Sequence, residues 1–245
     1  IGIGLRGKIN EKYRCAIQKM NFSNLPTVSI DVPSGLNSGT GGVLDIAVNA
    51  DLTVTFLVYK QGLFTGYGPS CCGSLILRRL GLERGENLNG LASATIMSLE
   101  KLCKILPSRL NYSCKTNYGH VLVIGGEMPG ASRLVAYSSR KSGAGLSTIA
   151  VDKKYINLYS DSEPGTIIKK YEESDLDNKD ALVIGPGLGK KFSKKKIIKI
   201  WEIFNGPIII DADAISVFET QKNEFKDFLK NKKNILLTPH VGEFK

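Results

Sequence analysis

The segment "GHVLVIGGEMPGASRLVAYSSRKSGAGLSTIAV", residues 119–151, decides the fold. A buried strand predicted over residues 121–124 runs into Gly125 and Gly126, and a helix begins near Ala131. Two later glycines end that helix before the next apolar strand. A strand, glycine loop, helix and strand in this order present backbone N–H groups and a helix N-terminus to an anion. The loop lacks the GKS or GKT of a P-loop, so glycines that serve only tight packing are the alternative.

Other apolar, β-rich runs alternate with helical stretches along the chain. They are continuously apolar, which is typical of strands buried on both faces of a parallel sheet and predicts an α/β architecture. Strand signals stop between residues 80 and 117, where one helix is predicted at about 96–106. We therefore place a domain boundary near residue 92, giving domains 1–92 and 93–245. The predicted strands cover residues 27–32, 52–58, 120–126, 146–151, 181–185, 207–214 and 234–240.

Composition limits the class of protein. The longest apolar run, residues 52–58, is far shorter than the ~20 residues of a bilayer crossing, so no membrane partner is predicted. The N-terminal residues lack the pattern of a signal peptide. Five cysteines without CxxC spacing predict reduced thiols and a cytoplasmic location.

A net charge of +10 raises the question of a nucleic-acid partner. Many lysines lie in residues 189–204 and 221–234, around helical apolar positions such as Ile197, Ile200 and Phe204. This pattern is typical of solvated helix faces and lacks the interleaved aromatics of single-strand binders. We therefore expect no nucleic-acid partner.

The motif "SIDVPSGLNSGTGG" ends an apolar strand on Asp31, followed by a turn at Pro33, Ser34 and Gly35. Open α/β folds bind ligands at the carboxyl edge of the sheet, so Asp31 is a candidate acid, base or ligand anchor. An aspartate before such a turn also often hydrogen-bonds its own backbone, and the sequence leaves both interpretations open.

Two further predicted strands are followed directly by glycines or by acidic residues. "ALVIGPGLGKK" places Gly185, Gly187 and Gly189 after a buried strand, where backbone can approach a ligand closely. "PIIIDADAIS" ends on Asp211 and Asp213. Asp213 either caps the following helix or contacts a nucleotide or its metal.

The motif "ILLTPHVGE" places His240 and Glu243 after the last predicted strand. Parallel strands share one carboxyl edge, so His240 is expected at the same edge as the two glycine loops. A purely structural histidine is the alternative.

Together these motifs resemble the bifunctional NAD(P)H-hydrate repair enzymes, in which an NAD(P)H-hydrate epimerase domain precedes an ADP-dependent NAD(P)H-hydrate dehydratase domain. Residues 1–92 resemble the second half of the epimerase through "IGIGLRG", "SIDVPSGLNSGTG" and "KQGLFTGYG". Residues 93–245 resemble the first half of the dehydratase through "MPGASRL", "SGAGLSTIAV", "IGPGLG", "DADAIS" and "LTPHVGEF". The resemblance implies a Rossmann-like parallel sheet followed by a ribokinase-like α/β domain.

The activity implied by this resemblance is repair of damaged nicotinamide cofactor. The epimerase interconverts the two C6 epimers of NADH-hydrate or NADPH-hydrate, a small dinucleotide substrate. The dehydratase uses ADP, with ATP as the alternative, to convert the hydroxyl into a phosphate leaving group. A ribokinase-like small-molecule kinase and a catalytically silent nucleotide-binding protein remain the other hypotheses.

The resemblance also implies roles for individual residues. It makes Asp31 catalytic and in contact with substrate, and Ser34 a ligand of K⁺. It further implies Mg²⁺ and a homo-oligomer. Residues expected to contact the hydrated cofactor are Gly2, Gly4, Leu5, Arg6, Gly7, Ala131, Gly187 and His240, and those expected to bind the nucleotide are Gly125, Gly126 and Asp213.

Several features depart from the family pattern. The paired-Asn motif of the epimerase and the "KGG" and GGTGD-type motifs of the dehydratase, the last with its catalytic aspartate, are absent. We therefore expect an internal piece of a longer enzyme, with little ADP-dependent dehydration by these 245 residues alone. Cys114 stands where the family has histidine, Thr116 where it has glycine, and "GGEMPG" is a shortened loop.

Overall fold

The computed structural model describes residues 9–43, 45–81, 92–230 and 232–244. The chain divides into two compact units, Ile1–Leu106 and Pro107–Lys245. This division lies later in the chain than the predicted boundary near residue 92. The predicted helix before it is present as Leu99–Ile105 and has no buried residue, so it contributes to neither core.

The first unit contains a three-stranded parallel sheet in the order β1-β2-β3. The predicted strands at 27–32 and 52–58 are present in shorter form, whereas β3 was missed because its apolar centre is only three residues long. The helices and strands of the first unit are α1 (Glu11–Phe22), β1 (Val28–Ile30), β2 (Leu52–Phe56), α2 (Gly68–Cys72), β3 (Ser74–Arg78) and α3 (Leu99–Ile105).

One face of β1 does not match the expectation that apolar strands are covered on both sides. Val28 is 59% exposed and Ile30 is 74% exposed, while Ser29 between them is buried. A small core of this unit is formed instead by residues of the turn after β1, including Val32 and Leu36, together with Leu63.

The second unit contains a six-stranded parallel sheet in the order β6-β5-β4-β7-β8-β9. The four inner strands confirm the expectation of burial on both faces, whereas Leu236 in the edge strand predicted at 234–240 is 56% exposed. Its elements are β4 (His120–Ile124), α4 (Pro129–Lys141), β5 (Leu146–Val151), β6 (Thr166–Lys170), β7 (Ala181–Ile184), α5 (Lys194–Ile203), β8 (Ile208–Ile210), α6 (Asp213–Ser216), α7 (Lys222–Lys230) and β9 (Ile235–Leu237).

Alternate residues of the central strand β4 enter two separate cores. Leu122 and Ile124 pack with Trp201 of α5 in the larger one, and Val123 packs with Tyr159 on the opposite face. Burying both faces of the inner strands removes apolar side chains from water, which stabilises the fold by roughly 25 cal/mol per Å². The sheet is therefore the stable platform of this unit.

The sequence reasoning missed β6, "TIIKK", because lysines interrupt its apolar pattern. It is an edge strand, and charged side chains at an edge discourage pairing with other chains. The helices predicted in residues 189–204 and 221–234 are present as α5 and α7, with Ile197 and Ile200 buried. None of the helices in the described part of the chain is long and apolar enough to cross a membrane.

Candidate functional site

The strand order of the second unit locates a crevice. The chain moves outward from β4 through β5 to β6, then returns to place β7 on the other side of β4. In open α/β sheets, the carboxyl ends of the strands on either side of such a reversal form the ligand crevice. The two glycine loops of the sequence, 125–128 and 185–189, follow these two strands.

The two glycine loops touch through their backbones. Met128 N–H donates to the carbonyl of Gly187 at 3.1 Å, and Glu127 N–H to the carbonyl of Leu188 at 3.4 Å. A Cβ added at Gly126 would overlap the backbone of Leu188, and one added at Gly187 would overlap the carbonyl of Met128. The structure thus brings Gly126 and Gly187 together, and both positions require glycine because backbone occupies the space of a side chain.

Hydrogen bonds from the side chain of Tyr159 hold the first glycine loop in place. Its buried hydroxyl lies 3.0 Å from both the N and the O of Gly126 and 2.9 Å from Ser132 Oγ in α4. Burial raises the pKa of Tyr159, outweighing the hydrogen bonds from Ser132 and Gly126, so the hydroxyl stays protonated. Sequence reasoning missed this residue, since a tyrosine in "KKYINLY" is 33 residues from the loop it holds.

The N–H groups of Gly125 and Gly126 do not serve the predicted role. Gly125 N–H donates to the carbonyl of Ala150 at 2.9 Å, and Gly126 N–H is taken by Tyr159. Both glycines therefore pack the loop instead of facing an anion. The packing alternative left open by the sequence describes these two residues better than direct nucleotide binding does.

The N–H groups that have no hydrogen-bond partner among the described residues lie about one turn later, at the start of α4. The first N–H groups of a helix have no partner within it, and Pro129 has none to offer. Met128 N–H is used by Gly187, and no side chain of the described residues caps the helix. Gly130 and Ala131 thus present the free N–H groups and the positive end of the helix dipole. The sequence predicts that Ala131 contacts the hydrated cofactor, and its N–H group is available to a ligand at this helix start.

The acidic strand end after β8 also reaches this crevice. Asp213 Oδ2 accepts from Gly189 N–H at 2.9 Å, while its own helix α6 has no side-chain cap. Asp213 therefore ties the second glycine loop to β8 and does not cap a helix. Its neighbour Asp211 accepts from Thr238 Oγ1 at 2.7 Å, which joins the ends of β8 and β9.

His240 lies at the carboxyl end of β9, and its side chain is 73% exposed. Its Nδ1 accepts from Gly242 N–H at 2.9 Å and Glu243 N–H at 3.2 Å, so its proton belongs on Nε2, which is 3.4 Å from Glu243 Oε1. It lines a cavity of about 940 Å³ with residues of α6 and α7. Within the described ranges no hydrogen bond joins His240 to either glycine loop, so they share an edge without direct contact.

In the first unit, Asp31 follows β1 in a left-handed backbone conformation, φ +69°. Its Oδ1 accepts from Thr55 Oγ1 at 3.0 Å, from Phe56 N–H at 3.2 Å and from Lys60 Nζ. Burial, the largest single effect, raises the pKa of Asp31, but the hydrogen bonds from Lys60, Phe56 and Thr55 together hold its pKa below the ordinary value. Asp31 is therefore ionised and paired near neutral pH.

The strained backbone at Asp31 is typical of functional sites. The carboxylate bonds to β2 and to Lys60 and not to its own turn, which disfavours the self-bonded alternative. Lys60 was not singled out from the sequence, although "KQGLFTGYG" contains it. Ser34 lies in the turn after Asp31, and its carbonyl accepts from Val48 N–H at 2.9 Å. The predicted contacts Gly2, Gly4, Leu5, Arg6 and Gly7 lie outside the described residues.

Comparison with known proteins matches each unit to a family. The profile of the NAD(P)H-hydrate dehydratase family matches residues 121–245, and that of the YjeF-related protein N-terminus matches residues 1–62. The first match covers both glycine loops and His240, and the second covers Asp31 and Lys60.

Full-length relatives align over nearly all of the chain. The bifunctional NAD(P)H-hydrate repair enzyme Nnr of Coxiella burnetii is 34% identical over 251 residues, which is 99% of this chain and 50% of that protein. The Escherichia coli enzyme of the same name is 31% identical, over 99% of this chain and 47% of its own length. The chain thus spans about half the length of the curated relatives it matches.

A solved structure supports the fold of the second unit. A ribokinase-like superfamily protein from Enterococcus faecalis superposes with a TM-score of 0.50 at 25% identity, over 60% of this chain and 54% of that one. The ribokinase-like architecture expected for the second domain agrees with this likeness.

Proposed function

Since the chain belongs to the NAD(P)H-hydrate dehydratase family, we propose that the whole protein repairs hydrated nicotinamide cofactors, with a nucleotide bound at the crevice between β4 and β7. The observation that carries this proposal is the start of α4. Its open N–H groups at Gly130 and Ala131 lie beside two glycine loops locked against each other. A helix N-terminus with free N–H groups is an established way to hold phosphate.

The chemistry explains why a kinase-like fold suits a dehydration. Hydroxide is a poor leaving group and phosphate is a good one. Transfer of a phosphoryl group from the nucleotide to the C6 hydroxyl, then loss of phosphate from C6 and of a proton from C5, restores the ring double bond. The N-terminus of α4 stabilises charge that develops on the transferred group, and the rigid glycine loops keep it in place during the reaction.

We assign the substrate side of the second unit to Ala131, Gly187 and His240. Gly187 and Ala131 lie on adjoining loops, while His240 is positioned farther along the edge, at the cavity beside α6 and α7. The His240 side chain is mostly exposed, and its Nε2–H, 3.4 Å from Glu243 Oε1, can donate a hydrogen bond to a phosphate or ribose oxygen of the dinucleotide. Its role is binding and not proton abstraction.

For the first unit we propose epimerisation of NADH-hydrate or NADPH-hydrate, supported by the match of residues 1–62 to the YjeF-related N-terminus. Asp31 is the reacting carboxylate in this proposal. Its Oδ1 is committed to Lys60 and β2, whereas Oδ2 makes no hydrogen bond in the described part of the chain. Oδ2 is therefore the oxygen of Asp31 that remains available to a substrate. The segment Gly2–Gly7 is the other proposed substrate contact of this unit.

Cations are assigned by the chemistry of the available donors. Asp211 and Asp213 each keep one carboxylate oxygen without a hydrogen bond among the described residues, and Mg²⁺ binds through one or two carboxylates plus nucleotide phosphates. The described residues contain no cluster of three or more acidic, His or Cys side chains that would hold a metal without the nucleotide. For K⁺ we propose Ser34, in an oxygen-rich turn beside Asp31.

We place the protein in the cytoplasm and propose that it forms a homo-oligomer. The five cysteines are free thiols in the structure, which supports this assignment to a reducing compartment. The oligomer is supported by apolar surface on the outer side of α4, where Leu134 is exposed, and by Leu158 on the 3-10 helix Lys153–Tyr159. Light scattering of the wild type and of Leu134→Glu tests this assembly.

Two measurements test the function. The whole protein is incubated with NADH-hydrate and either ADP or ATP, and recovery of NADH is followed against a mixture without nucleotide. We expect recovery that depends on nucleotide and releases one phosphate per NADH. Nucleotide-dependent phosphorylation of the hydrate without recovery of NADH would instead favour a small-molecule kinase.

The second measurement addresses these 245 residues directly. Calorimetric titration with ADP and ATP is expected to show one nucleotide site, weakened in Gly126→Ala because the added methyl meets the backbone of Leu188 and shifts the loop that leads into α4. Absence of binding in the wild type would remove the support for a nucleotide crevice between β4 and β7.

A further inference from the structure

A second cavity lies in the second unit at the opposite edge of its sheet. Its volume is about 560 Å³, and it is lined by residues that immediately precede β4, such as Lys115 and Tyr118, by Gly145 before β5, and by Lys141 at the end of α4. These positions are at the amino ends of the strands. The six residues of β5, at about 3.3 Å each, place this cavity roughly 20 Å from the crevice at the carboxyl ends.

The lining carries an excess of positive charge. Among the lining side chains that the structure describes, four are cationic, and Glu163 is the one acidic residue; the cations are Arg109, Lys115, Arg140 and Lys141. Within the described ranges, none of the four cations forms an ion pair with an acid. A concave surface of one sign focuses the electrostatic potential and concentrates ligands of the opposite charge.

Two of these cations are held in fixed positions. Arg109 Nη2 donates to the carbonyl of Gly143 at 2.9 Å, and its guanidinium lies 4.6 Å from the ring centre of Tyr118. Arg140 Nη1 donates to Thr166 Oγ1 at 3.3 Å. Each guanidinium has five N–H donors, so both keep several for a ligand, and planar forks of this kind suit phosphate.

Helix stabilisation explains only part of this cluster. Arg140 and Lys141 lie in the last turn of α4, where cations interact favourably with the helix dipole. Arg109 bonds the carbonyl of Gly143 just after α4, but Arg109 and Lys115 belong to the segment before β4 and not to that helix. They nevertheless line the same cavity, although like charges repel one another, and an anionic ligand would relieve that repulsion.

We propose that this cavity is a binding site for a small phosphorylated molecule, separate from the nucleotide crevice. Its size falls in the range of small-ligand pockets, and its concave shape favours a small polyanion over an extended nucleic acid. The site does not depend on the proposed repair function.

The first test is calorimetric titration of the chain with inorganic pyrophosphate at low salt. The double variant Arg109→Gln/Arg140→Gln is expected to weaken binding at least ~10-fold, because each charge-assisted hydrogen bond contributes measurably to affinity. The matched control Lys12→Gln/Lys195→Gln removes the same charge from two exposed lysines outside the cavity and is expected to change affinity less than about 2-fold. Thermal unfolding of each variant verifies that it is folded.

The second test uses Cys114, an exposed thiol in the cavity lining, as a reporter. Alkylation by anionic iodoacetate and neutral iodoacetamide is followed at each cysteine by mass spectrometry. The ratio of the two rates is independent of the thiolate fraction, so it reports local potential alone. We expect this ratio at Cys114 to exceed that at the exposed control Cys103 by about 5-fold at low salt, and to fall on addition of salt or pyrophosphate.

Three outcomes would overturn the proposal. The first is equal weakening of pyrophosphate binding by the cavity variant and the control variant, which would indicate a general charge effect. The second is an equal reagent ratio at Cys114 and Cys103. The third is stronger competition by a short single-stranded RNA than by pyrophosphate at equal phosphate concentration, which would assign the surface to nucleic acid.

Discussion

The two units hold their candidate functional residues in different ways. In the second unit, the loop after β4 is fixed by backbone packed against backbone, above a sheet buried on both faces. In the first unit, Asp31 is fixed by charge, through Lys60 and β2, beside a strand that exposes Val28 and Ile30. Backbone packing cannot be adjusted by solvent or pH, whereas a charged pair can. The first site should therefore be more sensitive to salt and pH than the second.

The largest effect is expected from adding one methyl group to the locked loop. Gly126→Ala places a Cβ against the backbone of Leu188, so the loop must shift, and we expect a loss of about 3 kcal/mol in the free energy of unfolding. Gly130→Ala is the matched control, because its Cβ meets no atom within 4 Å. It should change stability by less than about 1 kcal/mol, in the stabilising direction. Equal effects of the two variants in urea unfolding would contradict backbone locking.

A smaller effect is expected at the charged pair of the first unit. Lys60→Met leaves the Asp31 carboxylate largely out of water without its cation, since only 17% of the Asp31 side chain is exposed. We expect a loss of about 2 kcal/mol at neutral pH. Asp45→Asn, which removes the looser pair with Arg14 at 3.4 Å, should cost less than about 1 kcal/mol. Both are measured by urea unfolding followed by circular dichroism.

The pH dependence of this pair has a definite sign. The pKa of Asp31 is lower in the folded protein than in the unfolded chain, so the stabilisation is complete above the unfolded value of about 3.9. It is lost as the pH falls below that value and through the folded pKa. The difference between wild type and Lys60→Met should therefore shrink in the same acid range. A difference that stayed constant down to pH 2 would indicate that Lys60 acts through packing alone.

Tyr159→Phe tests whether one hydroxyl contributes to the rigidity of the glycine loop. The variant leaves the backbone groups of Gly126 and the hydroxyl of Ser132 without this partner, and we expect a cost of about 1–2 kcal/mol and weaker ADP binding. Tyr155→Phe is the control, since its hydroxyl bonds the Glu127 side chain at 3.5 Å and, among the described residues, does not bond Gly126 or Ser132. Unchanged stability in Tyr159→Phe would mean that packing of the glycines is sufficient.

The smallest effect on stability is expected at the exposed histidine. His240→Ala should change the free energy of unfolding by less than about 0.5 kcal/mol, because the side chain is mostly in water. In the whole protein it should raise KM for the hydrated cofactor while leaving the affinity for ADP unchanged. A large loss of stability would favour the structural interpretation of His240 that the sequence left open.

Much of the second unit follows from local sequence patterns. The apolar runs of β4, β5 and β7, and the glycines after them, predict a parallel sheet and the loops at its edge. The strand order does not follow from any of these segments. The lysines of β6 interrupt its apolar pattern, so this strand is not recognised, and the pairing of β7 with β4 depends on packing across the whole unit. The sequence thus predicts that the ligand crevice lies at the carboxyl edge of the sheet, but not between which two strands.

Individual side chains were less predictable than elements. The sequence predicts nucleotide binding by Gly125 and Gly126, but their N–H groups donate to Ala150 and Tyr159, both distant in sequence. Asp213 bonds Gly189, a partner 24 residues away that neither sequence interpretation named. In each case a local motif specifies the available donors and acceptors, while the tertiary fold decides which of them remain for a ligand.

The location of Trp201 has a practical consequence. It is the single tryptophan of the chain, and it is buried in the second unit, with its ring centre 3.9 Å from that of Phe228. Its fluorescence therefore reports unfolding of that unit, because the first unit contains no tryptophan. Comparing tryptophan emission with a probe of total helix content separates the two transitions, so each site can be assigned its own stability without cutting the chain.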